Sequence, residues 1–174
     1  NALIVVVADH GELLGEHDIV GHGGRMMYEG LLHVPLVVKF PGTNRAKGVI
    51  DDNVQQVDVM PTVLDALELP IPAAVQGQPL QRVLHTAVSE EHVNPEFVEH
   101  FGDVYNRQYR VVYDGRLKLI RTSRGERHLF DLTTDPGEND DLATRDPARL
   151  AGIEARFDAA FAGSPPMMSH APPR

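Results

Sequence analysis

The first stretch of the chain constrains its fold more than any other. Leu3 to Val7 is an unbroken apolar run of five residues, LIVVV. Runs of this length and β-branched content are expected as a buried central strand of a parallel sheet, covered on both faces. A central strand needs neighbours on either side, and few parallel-strand candidates follow it. The chain also opens at Asn1 without an initiator Met. The expectation is that the neighbouring strands lie upstream and that these 174 residues are part of a longer protein.

Beyond that strand, residues 9–30 are rich in Gly and His with no sustained period, so they are expected to form a long functional loop with one helical turn. Residues 34–38, VPLVV, read as a second buried strand, with Pro35 near its start where a strand tolerates proline. Asp58 is the expected N-cap of a helix whose apolar stripe is Met60, Val63, Leu64 and Leu67; Pro61 falls in the tolerant first turn and Pro70 ends it. Residues 71–81 form a linker. A hairpin is expected from Tyr109–Tyr113 and Arg116–Ile120 around a type I′ Asp114-Gly115 dipeptide. Arg127 to Leu132 adds a third strand and Glu96 to Phe101 a fourth. Asp146-Pro147 begins a final helix with Leu150, Ile153, Phe157 and Phe161 on its apolar face. The tail from Gly163 is expected to fray.

The first strand ends in Asp9-His10-Gly11-Glu12. An acid and an imidazole at the carboxyl end of such a strand lie where open α/β sheets bind ligands. The pair suits a divalent cation, with Gly11 letting the chain turn away. Asp-His pairs are common, and on spacing alone a turn or helix cap by Asp9 with His10 hydrogen-bonded nearby is the more ordinary reading. Glu12 reads as an acceptor supporting the loop rather than as a ligand. Other polar residues are expected to be structural. Glu90, Glu91 and His92 begin a solvated segment, and His100 is a satisfied structural histidine. Lys118 is a surface charge on the hairpin. Asp131, Asp135, Asp140 and Asp141 form turns and caps, because the Gly-centred spacing of a calcium loop is absent.

Five blocks, in order, resemble the sulfatase family of the alkaline phosphatase superfamily. They are VADHGELLGEH at 7–17, YEGLLHVPLVV at 28–38, VDVMPTVLD at 57–65, DGRLKLI at 114–120, and LFDL with DPGEN at 129–139. The second block has His33 where that family usually has Arg. The resemblance implies an α/β fold: the C-terminal part of an alkaline-phosphatase-like sheet domain over residues 1–87, a small antiparallel-sheet-plus-helix subdomain over 88–162, and a flexible tail over 163–174. It also implies that Asp9 and His10 are metal ligands, for Ca²⁺ in the first place and Mn²⁺ or Mg²⁺ as alternatives. His22 stands where the family has a Lys or His contacting the anionic group of the substrate, so it is a candidate catalytic and substrate-binding residue. Arg25 could serve the same electrostatic end.

The sequence also excludes functions. A net charge of −9 argues against a general nucleic-acid or anionic-membrane surface. No apolar run approaches the ~18–20 residues of a membrane span. There is no Cys, and none of Ser89, Ser123, Ser164 and Ser169 begins the C/S-x-P-x-R motif that this family oxidises to its formylglycine nucleophile. The family's first acidic metal-ligand pair is absent too. The expected function is therefore half of a metal-dependent sulfuric ester hydrolase acting on a small anionic ester, inactive as this piece alone. A phosphate or phosphonate ester hydrolase of the same fold is the alternative, as is a non-catalytic binding or structural module.

Overall fold

The computed structural model describes residues 1–22, 27–42, 48–80, the backbone of 88–91, and 108–167. Three sheets organise them. In the first, β1 (Ile4–Val7) pairs with β4 (Leu36–Lys39). The second is a two-residue ladder of β2 (Leu13–Leu14) and β3 (Val20–Gly21), and α1 (Glu29–Leu32) precedes β4. After β4 come a 3₁₀ turn, Gln56–Asp58, and α2 (Val59–Ala66). The third sheet has the order β5 (Val88–Glu91), β6 (Tyr109–Asp114), β7 (Leu117–Thr122), β8 (Arg127–Asp131), and α3 (Pro147–Ala160) packs on it.

The β1 strand is where expected, but its environment is not. Its neighbour among the described residues, β4, runs antiparallel to it. Ile4, Val6 and Val37 share one face and remain 49%, 57% and 61% exposed. An all-apolar run therefore forms a strand here without being covered.

The hairpin is present with its turn displaced by one residue. Asp114 pairs with Leu117, so the two central residues are Gly115 and Arg116. Only Gly115 has a positive φ, +61°. That matches a type II′ turn, which needs Gly at its first central position, and not the expected I′ turn. The third strand forms as expected; the expected strand over 96–101 lies outside the described residues, and the fourth strand seen is β5.

Alternation along β6, β7 and β8 gives this sheet two faces, and both are buried. One face packs Val112, Leu119 and Leu129 against Ile153, Phe157 and Phe161 of the final helix segment. Asp146 caps α3 by accepting from the Arg149 amide at 3.0 Å, ahead of Pro147. Arg110 and Arg121 lie over the rings of Phe161 and Phe157. The other face packs Tyr109, Val111, Ile120 and Phe130 against Met27, with Tyr28 and Leu32 beside it. This second contact docks the loop-bearing part of the chain onto the third sheet. At the start of the 163–174 tail, Pro165 accepts a hydrogen bond from Arg110 Nη2 at 2.6 Å and Met167 packs against the core; residues 168–174 lie outside the described residues.

The α2 helix buries a different stripe from the one expected. Pro61 and Thr62 are buried, while Met60 and Leu67 are 58% and 54% exposed. Hydrogen bonding turns the helix this way. Asp58 accepts from the amides of Gln55 and Gln78, and Thr62 Oγ1 accepts from the Leu80 amide while donating to the Asp58 carbonyl. The 71–80 linker is thereby tied along the polar side of the helix.

Candidate metal and anion site

The loop between β1 and α1 is folded back on itself by the β2–β3 ladder. Leu13 pairs with Gly21, so the next positions out, Glu12 and His22, stand directly across from one another. Glu12 Oε2 lies 2.9 Å from His22 Nδ1. Leu13 is buried beneath the ladder and anchors it. The ten-position separation of Glu12 and His22 hid this contact from a linear reading, though the role of Glu12 as an acceptor agrees with it.

Gly11 fixes how close the loop lies to α1. Its amide donates to the Leu31 carbonyl at 2.8 Å. A Cβ on Gly11 would sit 2.0 Å from the Gly30 carbonyl oxygen, an impossible approach. Its φ is not left-handed, so glycine is required here for proximity and not for a sharp turn.

Asp9 and His10 emerge from the end of β1. Asp9 Oδ1 accepts from the His10 amide at 3.0 Å. That hydrogen bond, and then the Asp9 amide and the His10 charge, hold its carboxyl below the usual carboxylate range. His10 Nδ1 lies 2.8 Å from the Gly11 carbonyl, which can only accept, so Nδ1 carries the proton and Nε2 keeps a free lone pair. The same contact, followed by the charges of Asp9 and Glu12, raises the His10 pKa. His10 Nε2 is 3.8 Å from Asp9 Oδ2, and both side chains are open to solvent. The His10 and His22 rings lie 4.3 Å apart. Arg25, the remaining candidate, lies outside the described residues.

A positioning residue that the sequence did not reveal comes from the 3₁₀ turn. Gln56 Nε2 donates to the carbonyls of Ala8 and Asp9 at 2.7 and 2.6 Å, tying the end of β1 from forty-seven residues away. His17 stacks on Tyr28 with ring centroids 3.7 Å apart, closing the loop against the core.

Lys118 is a correction of another kind. It is fully buried, not a surface charge. Its Nζ lies 2.9 Å from Glu29 Oε1 and 2.7 Å from Glu138 Oε1. Tyr113 donates its hydroxyl to Glu29 at 2.7 Å, and Glu138 Oε2 accepts from the Glu29 amide at 2.6 Å. Burial pushes the Glu29 carboxyl up, but the Lys118 charge and the hydrogen bonds from Lys118 and Tyr113 outweigh it, and the group ends below its ordinary value. Burial also pushes Glu138 up, and there the same lysine does not fully offset it. Burial, and then the Glu29 charge, raise Tyr113 so far that it stays a neutral donor. This cluster joins α1, immediately behind the candidate site, to the third sheet. The aspartates behave as expected: Asp131, Asp135 and Asp141 accept from backbone amides of their own turns.

The family described as N-sulphoglucosamine sulphohydrolase, C-terminal, matches residues 15–157. An arylsulfatase of Clostridium perfringens is 33% identical over 144 residues, which cover 79% of this chain and 28% of that protein. A solved structure described as a 2-O GAG sulfatase superposes with a TM-score of 0.81 at 24% identity, covering 97% of this chain and 39% of that one. The phosphonate monoester hydrolase of Agrobacterium radiobacter gives 0.70 at 25% identity, covering 98% and 39%. The chain spans about three tenths of the length of the curated relatives it matches.

Proposed function

Because the chain belongs to the sulfatase family of the alkaline phosphatase superfamily, we propose that it supplies one side of the active site of a metal-dependent sulfuric ester hydrolase. Asp9 and His10 would hold the divalent cation. The observation that carries this is the orientation of His10: its Nδ1 proton is committed to the Gly11 carbonyl, and its free Nε2 stands 3.8 Å from an Asp9 oxygen. Bonds of about 2.1 Å to nitrogen and about 2.4 Å to oxygen span that gap, so the two donors fit one ion. Ca²⁺ is the reading taken from the family, and the imidazole ligand leaves Mn²⁺ or Mg²⁺ open as alternatives. Such an ion would polarise the ester oxygens and the nucleophile.

The chain's own residues do the rest of the work assigned to this side. Gln56 holds the carbonyls flanking Asp9 and so fixes the direction in which its carboxylate leaves the strand. His22, held at Nδ1 by Glu12, offers its other nitrogen to the anionic group and stabilises charge on its oxygens or on the leaving alcohol. Arg25 would add to that field. The formylglycine nucleophile and the acidic pair would come from a segment preceding Asn1, so this chain alone would not turn over substrate. The exposed face of Ile4, Val6 and Val37 supports that view, since an apolar face of this kind is covered when a further layer packs on it. The substrate would be a small anionic ester.

Similarity to a phosphonate monoester hydrolase favours a second reading, hydrolysis of phosphate or phosphonate esters by the same site. Assaying the full-length protein on matched aryl sulfate and phosphonate esters separates the two. Faster turnover of the sulfate ester, lost by at least a hundredfold in Asp9→Ala and His10→Ala, is the expected result. Equal or faster turnover of the phosphonate ester establishes the second reading. If both variants keep full activity, the metal assignment fails.

A further inference from the structure

We infer that His10, Glu12 and His22 form a second, softer cation site, taking a borderline ion such as Zn²⁺ with two imidazoles and one carboxylate. The inference builds on the proposed role of Asp9 and His10 but uses a different set of ligands.

The geometry is that of ligands nearly in place. Each of the three side chains offers one ligand atom, and these atoms all lie within 4.8 Å of one another. Two donors on one Zn²⁺, each at about 2.0–2.1 Å, stand about 3.3 Å apart in a tetrahedron. Glu12 Oε2 and His22 Nδ1, at 2.9 Å, are already closer than that. His10 closes the remaining gap by less than about 2 Å, and all three residues are exposed and free to move that far.

The protons are arranged for it too. The Gly11 carbonyl fixes His10 with its proton on Nδ1 and a lone pair on Nε2, the outer-shell arrangement that orients metal-binding imidazoles. For His22, both ring nitrogens can exchange with solvent, so its proton moves from Nδ1 to Nε2 as the ion takes the place of the hydrogen bond to Glu12. Two nitrogens and one oxygen then face the ion, with positions left open for water, and any proton held on His10 Nε2 leaves to solvent as the ion binds.

Donor chemistry decides which ion. Two imidazoles and one carboxylate suit Zn²⁺, Co²⁺ or Ni²⁺, whereas Ca²⁺ prefers six to eight oxygens. Asp9 stands outside this group of three. Since His10 belongs to both sets, the two ions compete for it. Zn²⁺ would withdraw His10 from the Asp9 pair and His22 from the substrate anion together.

The test is metal binding by this chain without substrate. Zn²⁺ is titrated calorimetrically, and Co²⁺ is followed by its visible d–d absorption, for the wild-type chain and for Glu12→Gln, His22→Gln and Asp9→Asn; circular dichroism checks that each variant folds. We expect one site that Glu12→Gln and His22→Gln each weaken at least tenfold. Asp9→Asn should change it less than threefold, and millimolar Ca²⁺, which finds only the Asp9–His10 pair in this chain and so competes weakly for His10, should leave the cobalt spectrum largely unchanged. The inference is overturned if the folded wild-type chain shows no such site, if Asp9→Asn abolishes it, or if Glu12→Gln and His22→Gln leave it intact. None of these outcomes depends on which ester the full-length protein hydrolyses, so the two proposals fail separately.

Discussion

Replacing Lys118 with Met probes the contact that seats the site loop on the third sheet. Methionine keeps most of the apolar stem but removes the one cation shared by Glu29 and Glu138, whose side chains are 16% and 2% exposed. Breaking a buried pair by removing one partner costs about 3–5 kcal/mol. A second argument bounds the loss. One stranded carboxylate can escape its penalty by taking a proton, and protonating a carboxyl of ordinary pKa costs about 3.7 kcal/mol at pH 7 but only about 1 kcal/mol at pH 5. The cost of Lys118→Met should therefore be about 4 kcal/mol at pH 7 and shrink to between 1 and 2 kcal/mol at pH 5. The sign follows from linkage. In the variant the carboxyl pKa is raised by folding, so the protonated form's stability is present below the unfolded value and lost as pH rises. Urea unfolding followed by far-ultraviolet circular dichroism at the two pH values measures it, with an unchanged denaturant slope as the control. A loss of this size is a large share of a typical 5–15 kcal/mol. The triple variant Lys118→Met, Glu29→Gln, Glu138→Gln therefore serves as the companion, and removing the stranded charges should recover at least half of it. A Lys118→Met cost under about 1 kcal/mol at pH 7, or one that does not change with pH, would refute the reasoning.

Two further perturbations test the scaffold of the site. Gly11→Ala forces the loop away from the Gly30 carbonyl and weakens the hydrogen bond to Leu31, so it should cost about 1–3 kcal/mol in urea unfolding; a neutral result would mean that the loop does not lie against α1. Gln56→Ala frees the carbonyls of Ala8 and Asp9 on an exposed surface. It should change stability by less than about 1.5 kcal/mol while weakening metal affinity of the full-length protein about 10–100-fold. Unchanged metal affinity would leave Gln56 as a local tie only.

Much of the local structure was legible because it depends on short-range chemistry. The β6–β7 hairpin, the Asp146-Pro147 helix start and the aspartate turns follow from turn dipeptides, caps and alternation within a few residues. Even there the turn slipped by one position, since Asp-Gly allows either neighbour of Gly115 to close the loop and the strand register chooses between them. The order of the five motif blocks pointed to the family, because a sequence of spaced motifs carries information that no single block holds.

What the linear reading missed lies across long separations. Lys118 alternates with apolar residues as a surface lysine would, and only the packing of residues 27–32 against that face of the sheet makes it a buried cation. The α2 helix has an apolar stripe by periodicity, yet Asp58 and Thr62 turn their polar side toward the linker and leave Met60 and Leu67 in solvent. In the candidate site, residue type and position at a strand end singled out Asp9 and His10, and the resemblance to the sulfatase family added His22. Tertiary structure decided their relations: the β2–β3 register set Glu12 against His22, Gly11 set the loop against α1, and Gln56 tied the end of β1. Residue type and local spacing determine which groups a chain can offer. Pairing between distant segments determines which of them meet, because each such contact is fixed by the burial of residues elsewhere and leaves no local trace.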